Sequence, residues 1–391
     1  MANAMSETAS FPQTSRPAQT EAARLRFEYV PRQGLLRLAL SNFVLIVITL
    51  GVYRFWAKTA IRKHIWSCVH INGEPLEYTG RGSELFKGAM IVFGVFVLPF
   101  IAVMTVIQVY YGPTHPAVFA AQYMFFLLIF ILWGMAVYRA RRYQLSRTLW
   151  RGIRGALAGS SWSYTWLNVG AQLLKGVTLG WSTPAMNLNL QERMIGDMRF
   201  GETPFRFRGR AGPLYPTYAV CWFLTIVLIA TMFGLVGYEA YYWFGEGLDK
   251  FFGQTFGTEG GRSEPPVWRV LALIAAVVLV YAMLGLIYTV VWAIYSAKEM
   301  TIFTNYTSID QARFQLAATP ASLVALAIGN LLILIFTLGA GNPFVQQRNV
   351  RYVMDRIAAE GTIDIARIMQ SRQKLDSYGE GLADAFDVGG L

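Results

Sequence analysis

The 391-residue sequence is short of charge, cysteine and histidine: Asp, Glu, Lys and Arg make up 15% of it, with 2 Cys and 3 His. Each shortage excludes a class of chemistry. Cys68 and Cys221 stand in unlike contexts, one after a basic segment and one inside an apolar run, so neither a disulfide framework nor a paired-cysteine metal site is available. His64 and His70 miss the i,i+3 and i,i+4 spacings that place two ligands on one helix face, and His115 is remote, so no metal triad forms. HExxH, GxSxG and P-loop motifs are absent. The charge-free windows Ala89 to Tyr138, Leu214 to Tyr238 and Val270 to Ala297 hold no carboxylate of the sort proton pumps use. The chain is therefore expected to be no enzyme and to need no cofactor or metal. No apolar run begins before about Leu35, so no cleavable signal peptide is expected. Residues 1–22 read as a disordered polar tail and 371–391 as a disordered acidic one.

What the sequence has in abundance is apolar surface, with 54% hydrophobic residues and a mean hydropathy of +0.39. A chain of this size and composition is an integral membrane protein. Its net charge of +11 is read as Lys and Arg gathered on the cytoplasmic side, not as a nucleic-acid footprint, because no soluble basic module is evident.

Seven apolar stretches stand out: Leu35 to Trp56, Phe86 to Tyr111, Ala117 to Tyr138, Trp162 to Thr183, Leu214 to Trp243, Val267 to Tyr295 and Pro320 to Gly341. Four of them are expected to span, since Ala89 to Tyr138, Leu214 to Tyr238 and Val270 to Ala297 contain no charged residue and are long enough for the hydrocarbon. The other three share a feature. Thr-Leu-Gly occurs at Thr49-Leu50-Gly51, Thr178-Leu179-Gly180 and Thr337-Leu338-Gly339, each time at the end of an apolar run and before an amphipathic segment. Asn42 and Asn330 each precede their Thr by the same spacing, and Gly73 and Gly361 each follow it by the same spacing. The pattern reads as three internal repeats, about 23–85, 147–212 and 300–368, within one membrane domain of residues 23–370.

Basic residues flank these three stretches on both sides, so if they crossed, a strongly basic loop would face outward. Entering and returning on the cytoplasmic side leaves only Tyr111 to Pro116 and Phe244 to Pro266 outside. The fold class expected is membrane α-helical with minor β: four full transmembrane helices, three re-entrant or interfacial helix pairs, short cytoplasmic strands, and both termini cytoplasmic. The helix break is assigned to Thr49, Gly51, Thr178, Gly180, Pro184, Thr337, Gly339 and Pro343, because Gly ends helices at low cost and Pro cannot continue one. Phe55 stands where the other copies have Pro, so the first break is expected to be weaker. Alternating strands are expected at Phe205-Arg206-Phe207-Arg208 and Leu25 to Tyr29, with weaker ones at Leu76 to Tyr78, Ala312 to Leu316 and Thr362 to Ile368. Tyr110, Tyr111, Tyr238, Tyr241, Tyr242 and Trp243 read as an interfacial aromatic belt.

Two groups are candidate functional residues. Asn42, Asn168, Lys175 and Asn330 interrupt the broken stretches and are candidates for a polar path, or, for Lys175, for reaching water along the interface. Arg139, Arg141, Arg142, Arg147, Arg151 and Arg154, with Arg206, Arg208 and Arg210, are candidates for contact with anionic lipid or phosphate.

The run Thr49-Leu50-Gly51-Val52-Tyr53-Arg54-Phe55-Trp56-Ala57-Lys58-Thr59, then Arg62, Lys63, Tyr78-Thr79-Gly80 and Glu84-Leu85-Phe86-Lys87-Gly88, resembles the YjgN-like family of bacterial inner-membrane proteins. The likeness extends from about Phe27 to Ile368, with Arg147 to Arg154 matching the family's middle region. It implies a polytopic inner-membrane protein and transfers no catalytic or binding residue. The Tyr-Arg-Phe-Trp run is confined to the first repeat. Two functions are expected to compete. One is transport or lipid handling, with membrane lipids, anionic ones above all, as partners. The other is a non-transporting scaffold whose cytoplasmic face docks a protein.

Overall fold

The apolar runs become long helices because in lipid each backbone group must be satisfied within its own segment. A computed structural model of the chain describes residues 24–243, 267–364 and 368. Four helices are long and apolar enough to cross a membrane: Gly82–Tyr111, Pro116–Arg147, Gly212–Gly234 and Val278–Asn305. The first consists of α3 (Gly82–Val92), a π-helical turn (Phe93–Val97) and α4 (Leu98–Tyr111). The register slip lies directly before Pro99, which has no N–H to give to the helical ladder. The others belong to α5 (Pro116–Arg147), α8 (Tyr215–Trp243) and α9 (Val267–Asn305). The expected outer loop Phe244 to Pro266, both expected tails and the side chains of Tyr238, Tyr241, Tyr242 and Trp243 lie outside what is described.

The three Thr-Leu-Gly stretches form helical hairpins: α1 (Leu35–Ile48) with α2 (Arg54–Trp66), α6 (Ser161–Val177) with α7 (Thr183–Gly196), and α10 (Pro320–Phe336) with α11 (Asn342–Met354). Their turns superimpose bond for bond. Each Thr is the helix C-cap, the Leu after it is left-handed, with φ of 50°, 49° and 49° for Leu50, Leu179 and Leu338, and the Gly also has positive φ. Gly51, Gly180 and Gly339 donate to the carbonyls of Ile46, Lys175 and Leu334, and the three Leu N–H groups donate to Val47, Gly176 and Ile335. This is the Schellman closure, which satisfies the last carbonyls of the helix. The threonines complete it. Thr49, Thr178 and Thr337 donate from Oγ1 to Leu45, Leu174 and Ile333 at 2.7, 2.8 and 2.6 Å, and accept from the amides of Tyr53, Ser182 and Gly341.

Two expectations about the break are corrected here. The residue that turns left-handed first is Leu, at a cost of about 1–2 kcal/mol each, and Gly takes the next position. Pro184 and Pro343 do not end a helix; they stand in the first turn of the second one, where a missing N–H costs nothing. The first turn has the same geometry without a proline, because the hydrogen bonds around Thr49 suffice.

The strands form a continuous antiparallel meander of β4 to β11, namely Glu77–Tyr78, Thr148–Trp150, Ile153–Leu157, Met198–Phe200, Thr203–Phe207, Thr307–Ile309, Ala312–Leu316 and Ile357–Glu360. β1 (Phe27–Tyr29), β2 (Val69–Ile71) and β3 (Glu74–Pro75) make a second sheet. It meets both halves of the meander: Trp150 Nε1 donates to Ile71 O at 3.2 Å, and the rings of Phe27 and Phe314 lie 6.1 Å apart. The last strand among the described residues is Ile357–Glu360; of the expected Thr362 to Ile368, Ile363 has a bridge partner and residues 365–367 lie outside what is described. Helices are inserted at every second connection, so they all leave one edge of the strands. Tight turns close the opposite edge, with positive φ at Asn72-Gly73, Arg151-Gly152, Gly201 and Asp310.

Small residues bring helices close in the apolar layer. A Cβ on Gly134 of α5 would lie 2.9 Å from Asn168 Cβ and 3.1 Å from Thr165 Cα of α6. A backbone atom cannot yield, so Gly134→Leu is expected to cost about 2 kcal/mol and to lower the melting temperature in detergent. Gly170→Leu, with nothing within 4 Å of its Cβ, is expected to melt like the parent.

Candidate functional site

Hairpin depth and surface charge decide what the molecule presents. Helices α1, α6 and α10, of 14, 17 and 17 residues, are about 21–25 Å long, short of the roughly 30 Å hydrocarbon layer. The middle hairpin is anchored low. Tyr218 Oη donates to Gly180 O at 2.5 Å and Trp222 Nε1 to Leu179 O at 3.1 Å, so its tip is held at the second turn of α8. From Trp222 to Trp243 that helix continues for about 31 Å. In the first hairpin, Trp56 packs on Gly82, where the first long helix begins, and rings of Phe55 and Trp56 meet Phe86 at 5.6 and 5.4 Å.

The four polar-path candidates lie in three separate hairpins, and no hydrogen bond joins any two of them. Lys175 Nζ donates to Asn187 Oδ1 at 2.7 Å, and Asn187 Nδ2 donates to Glu299 Oε1 at 2.8 Å, which also accepts from Tyr295 at 2.9 Å. The amide orientation follows from chemistry: an ammonium only donates and a carboxylate only accepts. Lys175 thus faces an internal network instead of reaching along the interface. Asn168 accepts from Gln172 at a long 3.5 Å and backs onto Gly134. Asn330 donates to Asn349 across its own hairpin at 2.7 Å. Asn42 is 4% exposed, and its Nδ2 has no partner among the described residues. Nearer the strands, Tyr29, whose phenol burial pushes up to about 12, accepts from Gln347 at 2.9 Å and ties the first sheet to the third hairpin.

Glu299 and Asn187 were invisible as site residues in sequence. Glu299 lies just past the charge-free stretch ending at Ala297, and a lone Asn in a polar helix carries no signal.

The arginines divide. Arg147 pairs with Glu84 at 2.9 Å, where Tyr143 also donates at 2.6 Å, Arg151 pairs with Glu74 at 2.8 Å, and Arg142 donates to Gly159 O with its guanidinium 5.2 Å over Tyr138. Arg147 thus joins two helices, Arg151 joins the β5–β6 turn to β3, and Arg142 joins α5 to the segment after β6. Arg139 is half-buried and Arg141 exposed. Strand register then assembles a basic face that linear spacing did not show. Arg206 pairs across with Ser308, Ser308 with Arg313 and Arg313 with Glu360, while Arg199 faces Ala156 and Pro204. Residues so paired share one face, so Arg154, Arg199, Arg206 and Arg313 stand together, and Arg206 and Arg313, two strands apart, are about 10 Å from each other. Arg199, Arg206 and Arg313 are exposed; Arg208 and Arg210, also exposed, follow β8 toward α8 and the helical edge. The opposite face carries Ile153, Phe200, Phe205, Ile309, Ala312 and Phe314, which pack with Leu25, Ile363 and Ile368. Among the described residues no group of His, Cys, Asp and Glu is arranged to hold a metal.

A family model described as "Bacterial protein of unknown function (DUF898)" matches residues 24–385. Inner membrane protein YjgN of Salmonella typhimurium is 32% identical over 116 residues, which is 30% of this chain and 27% of that protein. The match thus spans about a quarter of that relative's length. No solved structure matches the chain.

Asn187→Leu strands the Lys175 ammonium and the Glu299 carboxylate together. Because both are only partly buried, the expected loss is about 2 kcal/mol. In a Lys175→Met, Glu299→Gln background the same substitution is expected to cost far less, as denaturation of the variants in a double-mutant cycle would read out.

Proposed function

For a chain that belongs to the DUF898 family of bacterial proteins, we propose a non-enzymatic inner-membrane role in lipid handling. Its three hairpins are internal repeats that re-enter from the cytoplasmic side, and its basic strand layer binds anionic head groups. The anchoring of Gly180 and Leu179 by Tyr218 and Trp222 carries this reading, since a hairpin held at the second turn of a long helix turns back within one leaflet. Exposed tryptophans agree with it: Trp162 and Trp166 stack at the start of α6, where an indole settles at a bilayer surface. The relative's name places that protein in the inner membrane, and the same location suits this one.

With both termini cytoplasmic, nearly all Lys and Arg lie inside, and the edge from which the helices leave meets the head groups. Arg208 and Arg210 are nearest that edge and Arg206 just below it. Guanidinium groups suit this task because they grip phosphate in a bidentate way. Lipid handling is favoured over a solute path because the buried polar residues are distributed among separate hairpins, where Asn168, Lys175 and the Asn330 amide nitrogen are bonded within their own hairpin.

Two measurements test the proposal. The variant Arg206→Gln, Arg208→Gln, Arg210→Gln in nanodiscs of mixed lipid is expected to lose preference for phosphatidylglycerol by tenfold or more, at roughly 1 kcal/mol per basic residue, while binding of neutral lipid is unchanged. Equal retention of anionic and neutral lipid by the parent at low salt would refute the head-group role. Reporters fused after Arg81 and after Arg210 are both expected to read cytoplasm; a periplasmic signal at either ends the re-entrant reading.

A further inference from the structure

The hairpin tips hold a feature that topology alone does not require. Leu50, Leu179 and Leu338 occupy left-handed backbone, which favours glycine, and yet each side chain is 94%, 79% and 93% exposed. Glycine would sit at these positions without strain. Strain kept at the same place in three turns, by side chains with so little contact inside the protein, points to a contact outside it.

What surrounds the tips narrows that contact. Ile48, Val177 and Phe336, beside the three leucines, are exposed as well. The polar groups of each turn face inward: the Thr hydroxyls and the Leu and Gly amides are all engaged in closing it. The tip therefore presents an apolar cap whose hydroxyl and amide donors are satisfied, as hydrocarbon demands of a donor. Depth excludes the far surface: about 31 Å of α8 continues beyond Trp222 at the middle tip, and the 14- and 17-residue helices that lead to the other two are shorter than the hydrocarbon layer.

We infer that the three leucines are wedges that insert between the acyl chains of phospholipids in the cytoplasmic leaflet and disorder them beside each hairpin. The occupant is the acyl chain, whatever its head group, and the inference rests on the re-entrant reading above. It gives the lipid-handling role a second contact, with chains at the tips in addition to phosphates at the strands.

The test uses the full chain in vesicles of phosphatidylethanolamine and phosphatidylglycerol. Cys68 and Cys221, both buried, are first replaced by alanine, and a nitroxide is attached through Leu338→Cys. Relaxation by oxygen well above relaxation by a water-soluble nickel chelate is expected. The reverse order would place the tip in water, and shielding from both would place it under protein; either result overturns the inference. The triple variant Leu50→Gly, Leu179→Gly, Leu338→Gly is then compared with the parent. Its melting temperature in detergent is expected to hold or rise, and deuterium order parameters of the lipid chains should show that most of the disorder caused by the parent is gone. A lower melting temperature would mean that the leucines brace the fold, and unchanged chain order would mean that they are not wedges. The triple variant keeps every arginine, so its preference for anionic lipid is expected to stay intact. Failure of the head-group reading would instead appear in the arginine variant.

Discussion

The closure of backbone hydrogen bonds at each hairpin turn is the constraint on which the remaining structure depends. A helix that stops leaves carbonyls without partners, and in hydrocarbon there is no water to take their place. Here the Schellman bonds and a threonine hydroxyl that both donates and accepts close the turn from within. Because closure is local, the turn does not depend on its surroundings. It is the same beside Gly82, under Tyr218 and Trp222, and at the end of α10, a helix with no fully buried residue.

The strands convert that local device into an arrangement. In an antiparallel meander successive connections fall on alternate edges, so inserting helices at every second one sends all of them the same way. The four long helices and three hairpins then share one side, and tight turns such as Arg151-Gly152 share the other. Ion pairs brace elements at the joint between the layers. Arg147 with Glu84 links the end of α5 to the start of α3, and Arg151 with Glu74 links the β5–β6 turn to β3 of the second sheet. The arginines not spent on this joint, Arg199, Arg206, Arg208, Arg210 and Arg313, remain at the surface. On the proposed function, phosphate contact and chain contact are thus made by opposite ends of the same structure.

Much of this was legible in sequence where a residue's environment depends on its own neighbours. Charge-free windows became long helices because a helix satisfies itself. Alternation at Phe205 to Arg208 and Ala312 to Leu316 became strands because period two puts one face on a core. The expectation failed where alternation is weak. Ile357–Glu360 reads Ile-Ala-Ala-Glu, with little contrast between its faces, and pairing with β10 defines it as a strand. Phe55 was expected to weaken the first bend, yet proline is not what makes the bend in the other two.

The candidate sites were less legible, since their meaning depends on partners far away in the chain. Nothing near Arg147 announces Glu84, and nothing near Lys175 announces Glu299. By itself the sequence determined which segments are too apolar for water, where they bend, and on which side of the membrane the cations are expected, because transfer free energy and local hydrogen bonding are properties of contiguous residues. Tertiary structure decided which arginines are consumed in ion pairs, which share the exposed strand face, where along α8 the middle hairpin is held, and that leucine carries the strain at its tip. Those depend on register and packing between elements, and hydrophobic periodicity does not encode them.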